Sequence, residues 1–330
     1  MPSDISNPEF RFTEKAVTMK KIGILVVCLI LAVAGAYYAF PEQVAGYLVG
    51  AARNKAGLTK KEIQIGDHTI VYLEGGQGPT ILLLHGYAGN KDNWIRLAPY
   101  LTKDYHVVIP DIPGYGESAK LIKASYDLSS QLSRIHQFAQ TLKLKHFHVA
   151  GNSMGGFFAG MYAVRFPEDI QSLGLFNAGG VQEPQEGLVR KMRGKGVNLL
   201  VLKDSDDLSR LMTLLFVNPP SLPYPFKKMM VRTALANRPF YEKELKELLP
   251  EALSLEKDLS AITAPALILW GDQDKVIDVS CVPVFEKGLR KHQTVIIKDC
   301  GHLPMLEKPA ETAAAYIGFL KSIASKGGNL

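Results

Sequence analysis

The chain has 330 residues, 47% of them hydrophobic, 21% charged and 9% aromatic, a balance that fits a folded enzyme-sized chain and excludes collagen-like, coiled-coil and low-complexity readings. The net charge is +6, but eight Lys/Arg against four Asp/Glu fall in residues 1–61, leaving 30 against 28 beyond; without a basic stripe interleaved with aromatics on the body, nucleic acid is not an expected partner. Cys28, Cys281 and Cys300 are odd in number and lack ligand spacing, so neither a disulfide framework nor a zinc site is suggested.

Residues 1–21 read as an N-terminal extension, with Met19-Lys20-Lys21 resembling a natural start. Ile22–Phe40 is an uncharged, mostly apolar run of 19 residues ending in Tyr37, Tyr38 and Phe40. As a helix it reaches about 28 Å, close to the hydrocarbon thickness of a bilayer, and its terminal rings suit an interface. The expectation is a single membrane anchor; a cleaved signal with Ala32-Val33-Ala34 as its processing site is the competing reading. Residues 41–61 read as a linker or surface helix.

Beyond residue 61, short apolar runs alternate with amphipathic helices, as in a mostly parallel sheet covered on both faces. Strands are expected at Ile63–Ile65, Thr69–Leu73, Ile81–Leu84, Val107–Ile109, Phe147–Ala150, Ser172–Phe176, Ala266–Trp270 and Thr294–Ile297. Helices are expected at Trp94–Leu101, Leu128–Leu142, from Met154, and at Glu311–Ile323. Residues 182–260 break the rhythm: they are helix-prone, carry Pro219-Pro220, Pro223 and Pro225, and separate two strands by far more than an ordinary loop. They read as an inserted helical cap over the carboxyl ends of the strands, where open α/β sheets place ligands. Residues 62–181 and 261–330 then form the core.

The chemistry concentrates in Gly151-Asn152-Ser153-Met154-Gly155-Gly156, between a strand and a helix. This matches G-x-S-x-G, a sharp turn that holds a serine above the sheet, and makes Ser153 the candidate nucleophile. A serine hydroxyl needs an imidazole to take its proton. His302, in Cys300-Gly301-His302 after the last expected strand, has the placement required by the order serine, acid, histidine. His85, followed by Gly86, suits a loop-shaping role. The orienting acid should follow Ala266–Trp270, where Asp272 and Asp274 compete; Asp274, deeper in the loop, is preferred, and Asp272 reads as a turn residue. Oxyanion donors are expected from the backbone N–H groups of Met154 and of Tyr87 in His85-Gly86-Tyr87. Asp111-Ile112-Pro113-Gly114-Tyr115-Gly116-Glu117-Ser118 reads as a structural loop at the same edge.

Taken together, these motifs resemble the α/β-hydrolase superfamily over roughly residues 62–325, and the resemblance implies an eight-stranded, mostly parallel sheet with helices on both faces. A closer similarity is to its membrane-anchored monoacylglycerol lipases, carried by the N-terminal apolar helix, Arg134-Ile135-His136-Gln137-Phe138, Ser153-Met154-Gly155-Gly156, Trp270-Gly271, Asp278-Val279-Ser280 and Cys300-Gly301-His302. By position this implies a triad of Ser153, Asp274 and His302 acting on lipid-like acyl esters, with monoacylglycerols or medium-chain esters as substrates and no metal or organic cofactor. Cap residues Leu211, Met212, Leu214, Leu215, Phe216, Val217, Met229, Met230 and Val231 are expected to offer apolar, adaptable walls to an acyl chain. Asn152 before the serine also looks like the carbon–carbon bond hydrolases of aromatic ring-fission products, whose substrate carboxylate would need a cap arginine such as Arg190, Arg193, Arg210 or Arg232. A non-catalytic membrane-tethered module on the same fold is the third reading. Ser153 at the elbow argues against epoxide hydrolases and haloalkane dehalogenases, which require aspartate there.

Overall fold

The structure, a computed structural model, describes residues 8–327, with side chains from 18 to 325. It divides into two compact units: residues 1–48 with 222–230, and residues 49–221 with 231–330.

In the first unit, α1 (Pro8–Ala39) is followed by the start of α2 (Pro41–Lys55). Within α1, Thr18–Ala39 is 22 residues long and none of it is buried, so about 33 Å of helix, uncharged from Ile22 on, is available, enough to cross a bilayer. Tyr37 and Tyr38 meet edge to face at 5.1 Å, and Tyr38 lies 5.3 Å from Tyr224.

The second unit is built on eight strands: β1 (Leu58–Ile65), β2 (His68–Gly75), β3 (Thr80–Leu84), β4 (His106–Pro110), β5 (Phe147–Asn152), β6 (Ile170–Phe176), β7 (Ala266–Gly271) and β8 (His292–Ile297). Their order is β1-β2-β4-β3-β5-β6-β7-β8, antiparallel at β1–β2 and β2–β4 and parallel thereafter. β5 and β7 are buried along their whole length, as central strands covered on both faces must be, which is why they read as continuous apolar runs. The helices are α3 (Ala98–Leu101), α4 (Leu128–Thr141), α5 (Met154–Arg165), α6 (Leu188–Gly194), α7 (Asp207–Leu215), α8 (Tyr224–Leu248), α9 (Leu255–Asp258), α10 (Val282–Gly288), α11 (Pro304–Glu307) and α12 (Pro309–Gly327). The two strongest covering helices explain themselves locally. In α4, Leu128, Leu132, Ile135, Phe138 and Ala139 are buried at helical spacing and Asp127 caps the Ser130 N–H at 2.8 Å. In α5, apolar on nearly every side, nine residues are buried, because it lies between the sheet and further elements.

Two stretches differ most from expectation. The stretch expected as a linker over 41–61 is helical to Lys55 and already in β1 from Leu58. Lys60, Lys61 and Glu62 are exposed on this edge strand, where charge is tolerated and blunts edge-to-edge pairing, so the apolar alternation that marks a strand is missing. The helix expected over Trp94–Leu101 is a 3-10 turn at Lys91–Trp94 plus the single turn α3, broken where Pro99 must sit at a helix start. Between β6 and β7 lie α6, α7, α8 and α9, and α8 runs on through Pro239.

A buried ion pair fixes the loop after β4. Lys91 Nζ lies 2.7 Å from Asp111 Oδ2 and 2.7 Å from Glu117 Oε1, with Lys91 and Asp111 both removed from water. The backbone N–H groups of Lys91 and Glu117 also donate to Asp111, and Arg53 grips Asp92 with two nitrogens at 2.7 and 2.6 Å. Removing one partner of such a pair leaves an uncompensated buried charge. Lys91→Met is therefore expected to lower unfolding free energy by about 3–5 kcal/mol, read from the midpoint of a urea melt; a loss below about 1 kcal/mol would mean that the two backbone donors alone satisfy Asp111.

Candidate active site

The strand–turn–helix at Ser153 has the geometry that its glycines permit. Ser153 sits at φ +57°, ψ −120°, a region that side-chain-bearing residues avoid and that persists where the surroundings over-determine it. They do so here: Ser153 N–H donates to Phe176 O at 3.0 Å, and Ser153 O accepts from Phe157 and Gly179 N–H groups, each at 3.0 Å. A Cβ at position 151 would collide with the Gly155 backbone, and one at position 155 with the Leu84 and His85 carbonyls. Only glycine lets β5, α5 and the end of β3 approach so closely.

His302 and Asp274 are brought together from the loops after β8 and β7. His302 Nδ1 lies 2.8 Å from Asp274 Oδ2, and both residues are buried. Asp274 is held as an acceptor on both oxygens: Oδ1 takes the Val276 and Ile277 N–H groups at 2.7 and 3.1 Å, and Oδ2 also takes Asn177 Nδ2 at 2.7 Å. Asp272 is placed differently, its Oδ1 receiving, among the described residues, only the Cys300 N–H at 3.3 Å. The backbone of His302 is fixed from two directions, its N–H donating to Leu215 O at 2.9 Å and its carbonyl accepting from Asn152 Nδ2 at 2.9 Å. The Ser153 hydroxyl makes no hydrogen bond among the described residues, a looseness common in free sites before substrate is bound.

Two asparagines carry more of this geometry than their sequence context suggested. Asn152 ties the elbow to His302 and to Phe176. Asn177, buried at φ +47°, links the end of β6 to Asp274; the only signal in the sequence was an asparagine, tolerant of the left-handed region, just before Ala178-Gly179-Gly180.

His85 is buried and shapes its loop. Its Nδ1 lies 2.8 Å from Gly86 O while its Nε2 accepts the Ile112 N–H at 3.0 Å, which assigns the proton to Nδ1. Burial lowers its pKa, with only partial opposition from Asp111, so it stays neutral. Tyr87 follows Gly86; its amide makes no hydrogen bond among the described residues, and that of Met154, first in α5, has no partner within its helix. The Tyr87 hydroxyl donates to Tyr241 O on α8 at 2.8 Å, and burial raises its pKa. Beneath, Glu244 of α8 is wholly buried against Gln131, whose Nε2 reaches it at 3.2 Å. Desolvation, offset in part by Tyr115, pushes Glu244 up to about 8, so it docks α8 as a neutral acid near pH 7.

Tyr87, Ser153 and Met154 open onto a cavity of about 440 Å³. Its apolar walls include Phe157, Val181, Val189, Leu200, Leu245, Leu248 and Ile277; Glu183, Glu186, Arg190 and Arg193 form a polar side. Leu215 and Phe216, expected in the acyl wall, do not border it. Leu215 serves through its carbonyl on His302, and the Phe216 backbone packs against Gly301. Met229 and Met230 fall in the first unit. Hydrophobicity marked these residues as buried or half-buried, but burial does not say which cavity a side chain borders.

Known proteins resemble this chain in sequence and fold. The α/β-hydrolase fold family matches residues 79–194 and 196–309. Lipase 1 of Psychrobacter immobilis is 34% identical over 275 residues, covering 81% of this chain and 86% of that protein. The monoacylglycerol lipase ABHD6 of Homo sapiens is 29% identical over 314 residues, 91% of this chain and 93% of its own. Among solved structures, a membrane phospholipase A described as a bacterial virulence factor superposes with a TM-score of 0.85 at 39% identity, over 92% of this chain and 99% of that one.

Proposed function

The chain belongs to the α/β-hydrolase family and is an ester hydrolase of the lipase type, and within that family we propose that it cleaves lipid-like carboxylic esters, monoacylglycerols or medium-chain acyl esters, through Ser153, His302 and Asp274. The observation that carries this reading is the strained Ser153 on the wall of a largely apolar cavity, with the histidine of the last loop bonded to a fully engaged carboxylate. The names of the relatives, lipase, monoacylglycerol lipase and phospholipase A, support an acyl ester of a lipid as substrate.

In the mechanism, Asp274 holds the proton of His302 on Nδ1 and leaves Nε2 free as a base. His302 takes the Ser153 proton as Oγ attacks the ester carbonyl, and the Tyr87 and Met154 amides, unspent on protein acceptors, receive the oxyanion. His302 then protonates the leaving alcohol; water, activated by the same imidazole, attacks the acyl-enzyme and releases the fatty acid. Residues 182–260 act as the cap, supplying Val189, Leu200, Leu245 and Leu248 to the cavity. Thr18–Ala39 is retained as the membrane anchor, with Tyr37, Tyr38 and Phe40 at the interface.

Fatty-acid release from a monoacylglycerol series of increasing chain length tests the reading, with Ser153→Ala beside the wild type. Apolar walls of limited extent predict that kcat/KM rises with each added methylene and then stops rising once those walls are covered. Absence of release from every member by folded wild-type protein would overturn it.

A further inference from the structure

The polar side of the cavity holds a cation that the mechanism above does not use. Arg193, at the end of α6, lines the same cavity as Ser153. Its Nε is buried without a hydrogen-bond partner, and among the described residues no hydrogen bond or ion pair reaches its guanidinium. Its neighbours are engaged elsewhere: Arg190 donates to Gln182 Oε1 at 2.7 Å, and Glu183 Oε2 accepts the Gly187 N–H at 3.0 Å. Arg210 also has buried nitrogens, Nε and Nη2, without a hydrogen-bond partner, but it is ion-paired to Asp207 within α7 at 2.9 Å and does not border the cavity.

Arg193 is half-buried, and a guanidinium drawn partly out of water with a buried Nε lacking an acceptor is unfavourable, since desolvation penalises the charge and that donor is unsatisfied. Burial acts against the Arg193 charge in this structure, and Glu183 offsets that only in part. An arginine kept in this state on the wall of the cavity that holds Ser153 is suited to an anion that arrives with the substrate. Guanidinium pairs with phosphate oxygens through two parallel N–H donors, which gives orientation as well as affinity. Glu183 and Glu186 lie on the same side, so a ligand bearing only negative charge would meet two carboxylates. The complementary ligand carries a cation next to its anion.

Resting on the ester-hydrolase reading for the identity of the reacting bond, we infer that Arg193, backed by Arg190, is a head-group subsite: it receives the phosphate of a zwitterionic glycerolipid, with the lipid's ammonium group turned toward Glu183 and Glu186 and its acyl ester presented to Ser153. Arg193 is thereby a specificity-determining residue that separates phosphate-bearing acyl lipids from neutral ones.

The test separates binding from turnover. The full chain with Ser153→Ala is titrated with a single-chain ether lipid bearing a phosphoethanolamine head, with the alkylglycerol of equal chain length, and with inorganic phosphate. The same titrations follow on Ser153→Ala/Arg193→Gln and Ser153→Ala/Arg193→Lys. The expected result is that Arg193→Gln weakens the phosphoethanolamine lipid relative to the alkylglycerol by about tenfold or more, the size of one charge-assisted pair, and that Arg193→Lys recovers part of the loss. Inorganic phosphate is expected to bind more weakly than the lipid by at least as much; binding as tight as the lipid's would overturn the head-group assignment in favour of a free-phosphate site. A Gln variant that weakens both lipids equally, or neither, overturns the proposal. Because these ether lipids contain no carboxylic ester, the outcome holds whether or not the wild type releases fatty acid, and failure of the ester-hydrolase reading shows separately in the monoacylglycerol assay.

Discussion

Replacing Ser153 with alanine lowers kcat for ester hydrolysis by on the order of 10⁶, because the members of a nucleophilic triad act as a unit and the loss of one forfeits nearly the whole of their joint effect. The variant is unusually clean. The Ser153 hydroxyl makes no hydrogen bond among the described residues, and alanine has the same Cβ at the same strained φ of +57°, so neither a buried partner nor the backbone conformation is disturbed. Its stability should stay within about 0.5 kcal/mol of wild type, as for substitutions that remove no named interaction. The measurement is single-turnover and steady-state hydrolysis of a monoacylglycerol, with a urea melt on the same preparation. A fluorophosphonate should label wild-type Ser153 and leave the variant unlabelled. Turnover by the variant within tenfold of wild type would end the serine mechanism, whatever the melt shows.

Much of this site was legible because the fold writes its chemistry at strand ends. β3, β5, β7 and β8 are short apolar runs followed by His85, Ser153, Asp274 and His302 within a few residues, so finding the strands located the loops, and the elbow motif ordered them. The sheet, eight strands and mostly parallel, followed from the same alternation. β1 was foreshortened because Lys60, Lys61 and Glu62 occupy an edge where packing asks nothing of them. The acyl walls were harder for a different reason. Leu215 and Leu245 are both leucines on helices between β6 and β7, but of the two only Leu245 borders the cavity; tertiary packing decides that, and no local pattern encodes it. Asn177 was missed because its role is made by tertiary contact with a loop nearly a hundred residues away. Arg193 was one of four cap arginines on equal footing in the sequence, and what separates it from Arg210 is its place on the cavity wall and, among the described residues, the lack of an ion pair.

The choice between the two aspartates of the loop after β7 yields the second large effect: Asp274→Asn should reduce kcat by about 10⁴, through the wrong tautomer of His302. Donor and acceptor counts around the side chain decide the outcome. Asp274 accepts from Val276 and Ile277 N–H groups on one oxygen and from Asn177 and His302 on the other. An asparagine has a single acceptor oxygen and an NH₂ that can only donate. If the oxygen stays with the two backbone amides, the NH₂ faces Asn177 Nδ2, a donor, and forces His302 to accept at Nδ1. The imidazole proton then moves to Nε2, where it blocks the base that Ser153 needs. If the amide flips, the NH₂ faces two backbone N–H groups, which leaves buried donors unsatisfied at about 1–3 kcal/mol; the flipped form is therefore the minor one. Asp272→Asn meets no such conflict, since its carboxylate receives one N–H at 3.3 Å and an amide oxygen accepts that equally well, so kcat should fall by less than about tenfold. Measured side by side on the same ester, with tautomer state read from the imidazole ¹⁵N shifts of His302, the pair is decisive. A greater loss from Asp272→Asn than from Asp274→Asn would assign the orienting acid to Asp272, and an unchanged tautomer in Asp274→Asn would show that Asp274 acts by charge alone.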